Sequence, residues 1–392
     1  MTIRSRLCVL TLCLGACRSE AVHGPPAPRG SAAAPARAAS LSKLDTARAL
    51  ALTKPSGTGH LDRKLQRLTT VAAAQPRRLT TWIELGRAWV LKARESNDSG
   101  YYLNAEACAD LALELAPGDA LAMDLRSLVL LNAHRFAEAK QLSQALLEQR
   151  PESIMALGSL SDALLELGEH EGAELAAARM LDLKPNLPSY SRNSYLRWLR
   201  GDTEAARELA RLAIDAGTDP REPEARAWAI VQAAWLFWHA GDLEGADAGF
   251  AEALRGLPDY PPALVGRARV LLASATPSAA VELLERARAR SPLVETTWLL
   301  GQAKDQAGDA AGAERAYLDA EREGKLHDPR TLSLMFSTLN RNGESALALA
   351  ERERRTRGDI YTEDALAFAL YRAQRYPEAR AAIARARRLG TP

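Results

Sequence analysis

The sequence predicts an all-α chain built as a linear array of helix pairs. Three observations carry this. Pro117, Pro151 and Pro185 stand 34 residues apart, twice in succession, and Ala139 and Ala173 recur at the same interval. A fixed period of that length is the size of one helix–turn–helix unit. Each interval holds two amphipathic helical stretches joined by a short polar turn, Asn132 to Arg135 in one and Leu167 to His170 in the next. Finally, no stretch of alternating β-branched residues bounded by turn residues is present, so strand signals are absent.

The stretch from Ile154 makes the pattern specific. It reads Leu157, Leu160, Ser161, Leu164, Gly168, Ala173, Ala177, Met180 and Pro185. This resembles the tetratricopeptide repeat (TPR) family. In that family small residues let two antiparallel helices approach, large residues fill the space between units, and a proline stops the second helix. Proline does so because it lacks an N–H and crowds the preceding turn. The resemblance implies a right-handed superhelix (an α-solenoid) of about nine repeats, with a concave groove. It also implies an elongated body in which each pair contacts mainly its neighbours.

Taken in order, the chain opens on a short apolar run. Arg4 and Arg6 precede Leu7 to Leu14, which is too short to span a bilayer (about 20 residues) and reads as a secretory signal. Leu14-Gly15-Ala16-Cys17 resembles the lipobox of bacterial lipoproteins, which implies a signal peptide at 1–16 and a lipidated Cys17. Membrane attachment would run through that cysteine. The localisation implied is the bacterial cell envelope, with the outer membrane favoured because Arg18, not aspartate, follows Cys17. Residues 17–59 are assigned to a tether, rich in Pro, Ala, Gly and Ser up to residue 40, with a short helix at 41–52.

The solenoid is assigned to 60–392. Leu61 to Ala74, closed by Pro76, reads as the second helix of a degenerate first unit, the form a cap takes. Units follow near 79–119, 120–153, 154–186, 187–220, 227–260, 261–293, 294–326, 329–358 and 360–392. The first carries an enlarged turn from Glu95 to Tyr102, and the sixth has Thr276-Pro277-Ser278 where other units have Gly-Asp or Gly-Glu. No polar capping helix follows the ninth, so Leu389 and that unit's apolar face are left to cover themselves or to meet a partner.

Charge and chemistry exclude more than they assign. The formal net charge is +2, and loss of residues 1–16 removes Arg4 and Arg6 and leaves the chain balanced. Electrostatics therefore gives no reason to expect nucleic acid. Cys8, Cys13, Cys17 and Cys108 leave one thiol in the folded part, too few for a disulfide framework or a Cys-rich metal site. The chain has no phosphate-binding Gly-Lys-Ser/Thr loop, no His-Glu-x-x-His helix and no Gly-x-Ser-x-Gly elbow. The expectation is a protein without catalytic activity, metal or cofactor.

Binding is the remaining expectation. Groove positions of the family, transferred to this chain, give Tyr195, Trp198, Trp228, Trp235, Trp238, His239, Trp298, Tyr361, Asp364 and Tyr371. Tryptophan presented in a concave surface is a binding anchor; the same rings can equally pad the superhelix interior. The function expected is an envelope scaffold that binds a protein or peptide segment in a Trp-rich groove. A small-molecule, lipid or glycan binder using that groove, and the regulatory subunit of an envelope enzyme, are the alternatives.

Overall fold

The computed structural model describes residues 42–55, 57–219 and 223–392. All regular structure among them is helical. Two helices lead, Lys43–Ala51 (α1) and His60–Ala74 (α2). Nine pairs follow: Leu79–Ser96 and Tyr101–Leu115 (α3, α4), Ala120–Asn132 and Phe136–Gln149 (α5, α6), Ile154–Leu167 and His170–Leu183 (α7, α8), Leu187–Leu199 and Thr203–Ala216 (α9, α10). The next are Pro223–His239 and Leu243–Gly256 (α11, α12), Pro261–Ala273 and Pro277–Arg290 (α13, α14), and Val294–Gln306 and Ala310–His327 (α15, α16). Pro329–Leu339 and Gly343–Arg354 (α17, α18), then Ile360–Arg372 and Tyr376–Ala386 (α19, α20), complete the array.

Turn chemistry sets the helix ends. Gly201, Gly241 and Gly308 take φ near +80°, which ends the first helix of a pair. The aspartate that follows each one, Asp202, Asp242 and Asp309, accepts a backbone N–H three residues on and so starts the second helix. In the sixth unit Ala275 holds the left-handed position at φ 56°, Thr276 makes no cap, and Pro277 opens α14 instead.

Packing within and between the pairs follows the small-residue rule. A Cβ added to Gly266 would stand 2.3 Å from the Phe250 ring, and one added to Gly301 would stand 2.4 Å from Tyr317. Buried alanines such as Ala139, Ala173, Ala206 and Ala246 line the same seams.

The tertiary arrangement departs from an elongated rod with neighbour-only contacts. Successive turns of the superhelix touch. Asn97 Nδ2 donates to Ser291 Oγ at 3.1 Å, and Ser291 Oγ donates to the Asn97 carbonyl at 2.6 Å. Those residues lie 194 apart, so one turn takes between five and six 34-residue units. The enlarged first turn explains the reach: much of it is helix, extending α3 to Ser96, and Asn97 caps that helix at φ 53°.

Both ends of the array are covered. α1 lies inside the stretch assigned to the tether, yet it packs on α4 with Ala47 and Ala51 buried. Trp89 Nε1 donates to the Ala51 carbonyl at 3.1 Å, and Asn104 Nδ2 to that of Leu50 at 2.7 Å. Among the described residues the folded body thus includes α1 as well as the stretch from residue 60. At the other end Leu389 is buried in a cluster with Leu165, Leu199 and Ile360, so the ninth unit is covered by the third and fourth.

Candidate binding chamber

Coiling this tightly turns the groove into a chamber of about 470 Å³, lined along the first helices of the pairs from α3 to α17. Its rings are Tyr102, Tyr195, Trp228, Trp235 and Tyr260, and prolines 188, 261, 262 and 292 add apolar surface. Pockets of this volume, mostly apolar with a few polar groups, are typical of ligand sites.

The charged lining is mixed. Asp162, Asp219, Glu224, Glu295, Glu323 and Asp328 face Arg94, Arg192, Arg330 and Arg357. Most are neutralised locally. Arg192 holds Asp162 through both carboxylate oxygens, at 2.8 and 2.6 Å. Arg269 reaches Glu295 at 2.6 Å, and Tyr260 donates to Glu224 at 2.8 Å. Arg94 keeps accessible surface within the enclosure. Burial works to lower its pKa, but the fields of Glu224, Tyr102, Tyr260 and Asp162 outweigh it and hold the guanidinium above its ordinary value.

The residues anticipated from the sequence divide. Tyr195, Trp228 and Trp235 line the chamber together. Trp198 does not: it is 2% exposed, stacked on Tyr195 at 5.9 Å and against His239 at 4.4 Å, part of the packing between α9 and α11. Trp298, 5% exposed, is core beside Tyr317 and Leu332. These two rings stand at family groove positions, but the tight coil packs adjacent first helices over them.

Trp238 is half-buried, edge-on to Trp235 at 6.1 Å, behind the chamber wall. His239 shares that region; burial, then Arg269, lowers its pKa to about 4. Tyr361 hydrogen-bonds Tyr195 hydroxyl to hydroxyl at 3.2 Å and lies at a cross-turn contact. Asp364, on α19, is outside the lining, and its carboxyl is raised by desolvation. Tyr371 is 53% exposed and leans on Tyr376 at 5.7 Å, away from the chamber. Cys17 lies outside the described residues. Sequence reasoning did not single out Arg94, Tyr102 and Tyr260. Tyr102 opens α4 just after the lengthened first turn, and Tyr260 stands just ahead of α13, both off the family's groove positions.

Among the described residues no helix is long and apolar enough to cross a membrane, and no group of three or more His, Cys, Asp or Glu side chains is placed to hold a metal ion.

No family model matches the chain, and no curated protein matches its sequence. Solved structures do match in fold. A chain of the APC/C hetero-tetramer Cut9–Hcn1 superposes with TM-score 0.55 at 14% identity, covering 84% of this chain and 64% of that one. The human IFIT1 dimer with m7Gppp-AAAA gives TM-score 0.52 at 12% identity, covering 90% and 96%. A tetratricopeptide repeat protein from Parabacteroides merdae covers 64% of this chain and 98% of its own, at 17% identity and TM-score 0.45. The 34-residue period and the helix pairs that it produces give this chain an all-α solenoid fold like that of these tetratricopeptide-repeat structures.

Proposed function

We propose that this protein is a non-enzymatic interaction scaffold of the bacterial envelope, lipid-anchored through Cys17, and that its chamber receives one segment of a protein partner. The observation that carries the reading is the convergence of Tyr195, Trp228 and Trp235 with Tyr102 and Tyr260 on one concave space. Rigid aromatic rings offer large contact area at small entropic cost, which is why they anchor recognition sites.

The chamber's charge argues against a polyanionic occupant. Human IFIT1 is described with a capped oligonucleotide. Nucleic-acid binding rests on lysines and arginines that neutralise phosphates. Here six carboxylates face four guanidiniums, and Arg192, Arg330 and Arg357 are already engaged with acids. An apolar or aromatic peptide segment suits the lining better.

A photo-cross-linking residue at Gln232, between the two chamber tryptophans, tests this in the native host. A single partner should be trapped there and lost in the Trp228→Ala, Trp235→Ala double variant. The same cross-linker placed at Leu318 on the exposed surface should not trap it. Identical adducts from both positions would refute the reading. The anchor is tested separately: fatty-acid labelling should vanish in Cys17→Ala, and labelling that persists would remove the lipoprotein assignment. The chamber's size and largely apolar lining also favour a second reading, a small aromatic or lipidic ligand. Native mass spectrometry of protein purified from its host would show that ligand as a discrete added mass.

A further inference from the structure

The third and fourth units meet the eighth and ninth along a seam. It is made of turns and side chains, whereas the helix packing within the array joins only near neighbours in the chain. Three features describe this seam.

First, charge is buried in it. Arg357 donates from Nε and Nη2 to Glu166 Oε2 at 2.9 and 2.6 Å, and also reaches Glu353 at 3.1 Å and Asp359 at 3.7 Å. Arg330 approaches Asp359 at 3.4 Å. All five side chains are buried. The Coulomb attraction of such groups is largely offset by the cost of taking them out of water, so they add little net cohesion. Second, hydrogen bonding is incomplete: Arg330 Nε and His170 Nδ1 are buried without a partner. Third, the backbones touch. Gly358 N–H donates to the Glu166 carbonyl at 2.9 Å, and a Cβ on Gly358 would stand 2.4 Å from the Leu167 carbonyl oxygen.

The seam is also a wall of the chamber: Leu165, Tyr195, Arg330 and Arg357 line both the small seam pocket and the chamber. The seam's apolar share is the cluster of Leu165, Leu199, Ile360 and Leu389; a joint held by that patch and by compensated charge, without helix-on-helix packing, opens at lower cost than the packed helix pairs. We propose that the superhelix opens and recloses at this seam, between Glu166–His170 and Arg357–Tyr361, and that the seam is the gate of the chamber. This rests on the chamber being a binding site, but the gate itself is measurable with no ligand.

The test uses the full chain carrying Gln232→Cys in the chamber. Two readouts are taken. One is hydrogen exchange resolved by segment. The other is the alkylation rate of the introduced thiol, by a small reagent and by a bulky polymer-linked maleimide, followed by peptide mass. Glu166→Gln removes the charge from the Arg357 acceptor. Gly358→Ala forces the backbones apart and is a second route if the first variant folds poorly. In both, exchange at 166–172 and 355–362 should rise about tenfold or more, as loss of a charge-assisted hydrogen bond implies. Alkylation by the bulky reagent should rise in parallel, with exchange in α13 and α14 unchanged. Unchanged bulky alkylation in both variants, or exchange that rises uniformly across the chain, would overturn the proposal. If the gate behaves as stated and no partner is trapped at Gln232, the functional reading fails and the gate stands.

Discussion

Asn97 and Ser291 exchange two hydrogen bonds across 194 residues of sequence, joining the lengthened first turn to the end of the sixth unit. Ser291 is 1% exposed, so its hydroxyl has little water to fall back on. Ser291→Ala leaves both Asn97 groups without their partner. The expected cost is about 1–3 kcal/mol, seen as a lower Tm in calorimetry. A variant as stable as the parent would show that the first cross-turn contact contributes nothing.

Among the described residues Ala275 is the one alanine in the left-handed region, where Gly201, Gly241 and Gly308 serve in other turns. Relief of that strain is worth about 1–2 kcal/mol, less about 0.4–1 kcal/mol for the added freedom of glycine in the unfolded chain. Ala275→Gly should therefore raise stability by up to about 1.6 kcal/mol in a denaturant titration. Destabilisation would mean that the Ala275 methyl makes a contact worth more than the strain.

Asp124 is buried on α5 with Oδ1 unpartnered, and burial raises its pKa to about 6 despite Arg87 and Arg150. A carboxyl raised in the folded state favours its neutral form, so it penalises the fold at pH 7, and the penalty fades as pH falls from about 6 to about 4. Asp124→Asn should stabilise the protein at pH 7 by about 1–2 kcal/mol after allowance for solvent screening. The gain should disappear near pH 4, at the ordinary carboxyl value of about 4. A gain independent of pH would assign it to packing.

His170 and His239 run the other way. Burial lowers each to about 4, with Arg388 and Arg200 adding to the effect on His170 and Arg269 on His239. Both are neutral in the fold where the unfolded chain takes up protons. Their contribution is complete above the ordinary value of about 6.5 and is lost as pH falls from there towards about 4. Tm should decline over that window. His239→Gln should flatten the decline, and a slope identical to the parent's would exclude His239 as a source.

The periodic part of this protein was legible in the sequence because its causes are local. A left-handed glycine followed by a capping aspartate, as at Gly241-Asp242, ends one helix and starts the next whatever surrounds it. Small residues at Ala139 and Ala173 recur because two helices must approach there, and Pro117, Pro151 and Pro185 recur because each second helix must stop. The candidate site was legible in part. Trp228 and Trp235 were placed by family position and line the chamber, whereas Trp198 and Trp298 occupy equivalent positions and are packed away.

Nothing local separates those tryptophans. The sequence by itself determined an all-α solenoid of 34-residue pairs and the positions of its turns, since each follows from contacts within a unit or to the next one. Only the tertiary structure decided how tightly the array coils. That pitch is the sum of small rotations between successive pairs, and it brings Glu166 to Arg357, Asn97 to Ser291 and the Leu199 carbonyl to the Thr391 hydroxyl. The same accumulated rotation curled the groove into a chamber and chose which aromatic rings face it.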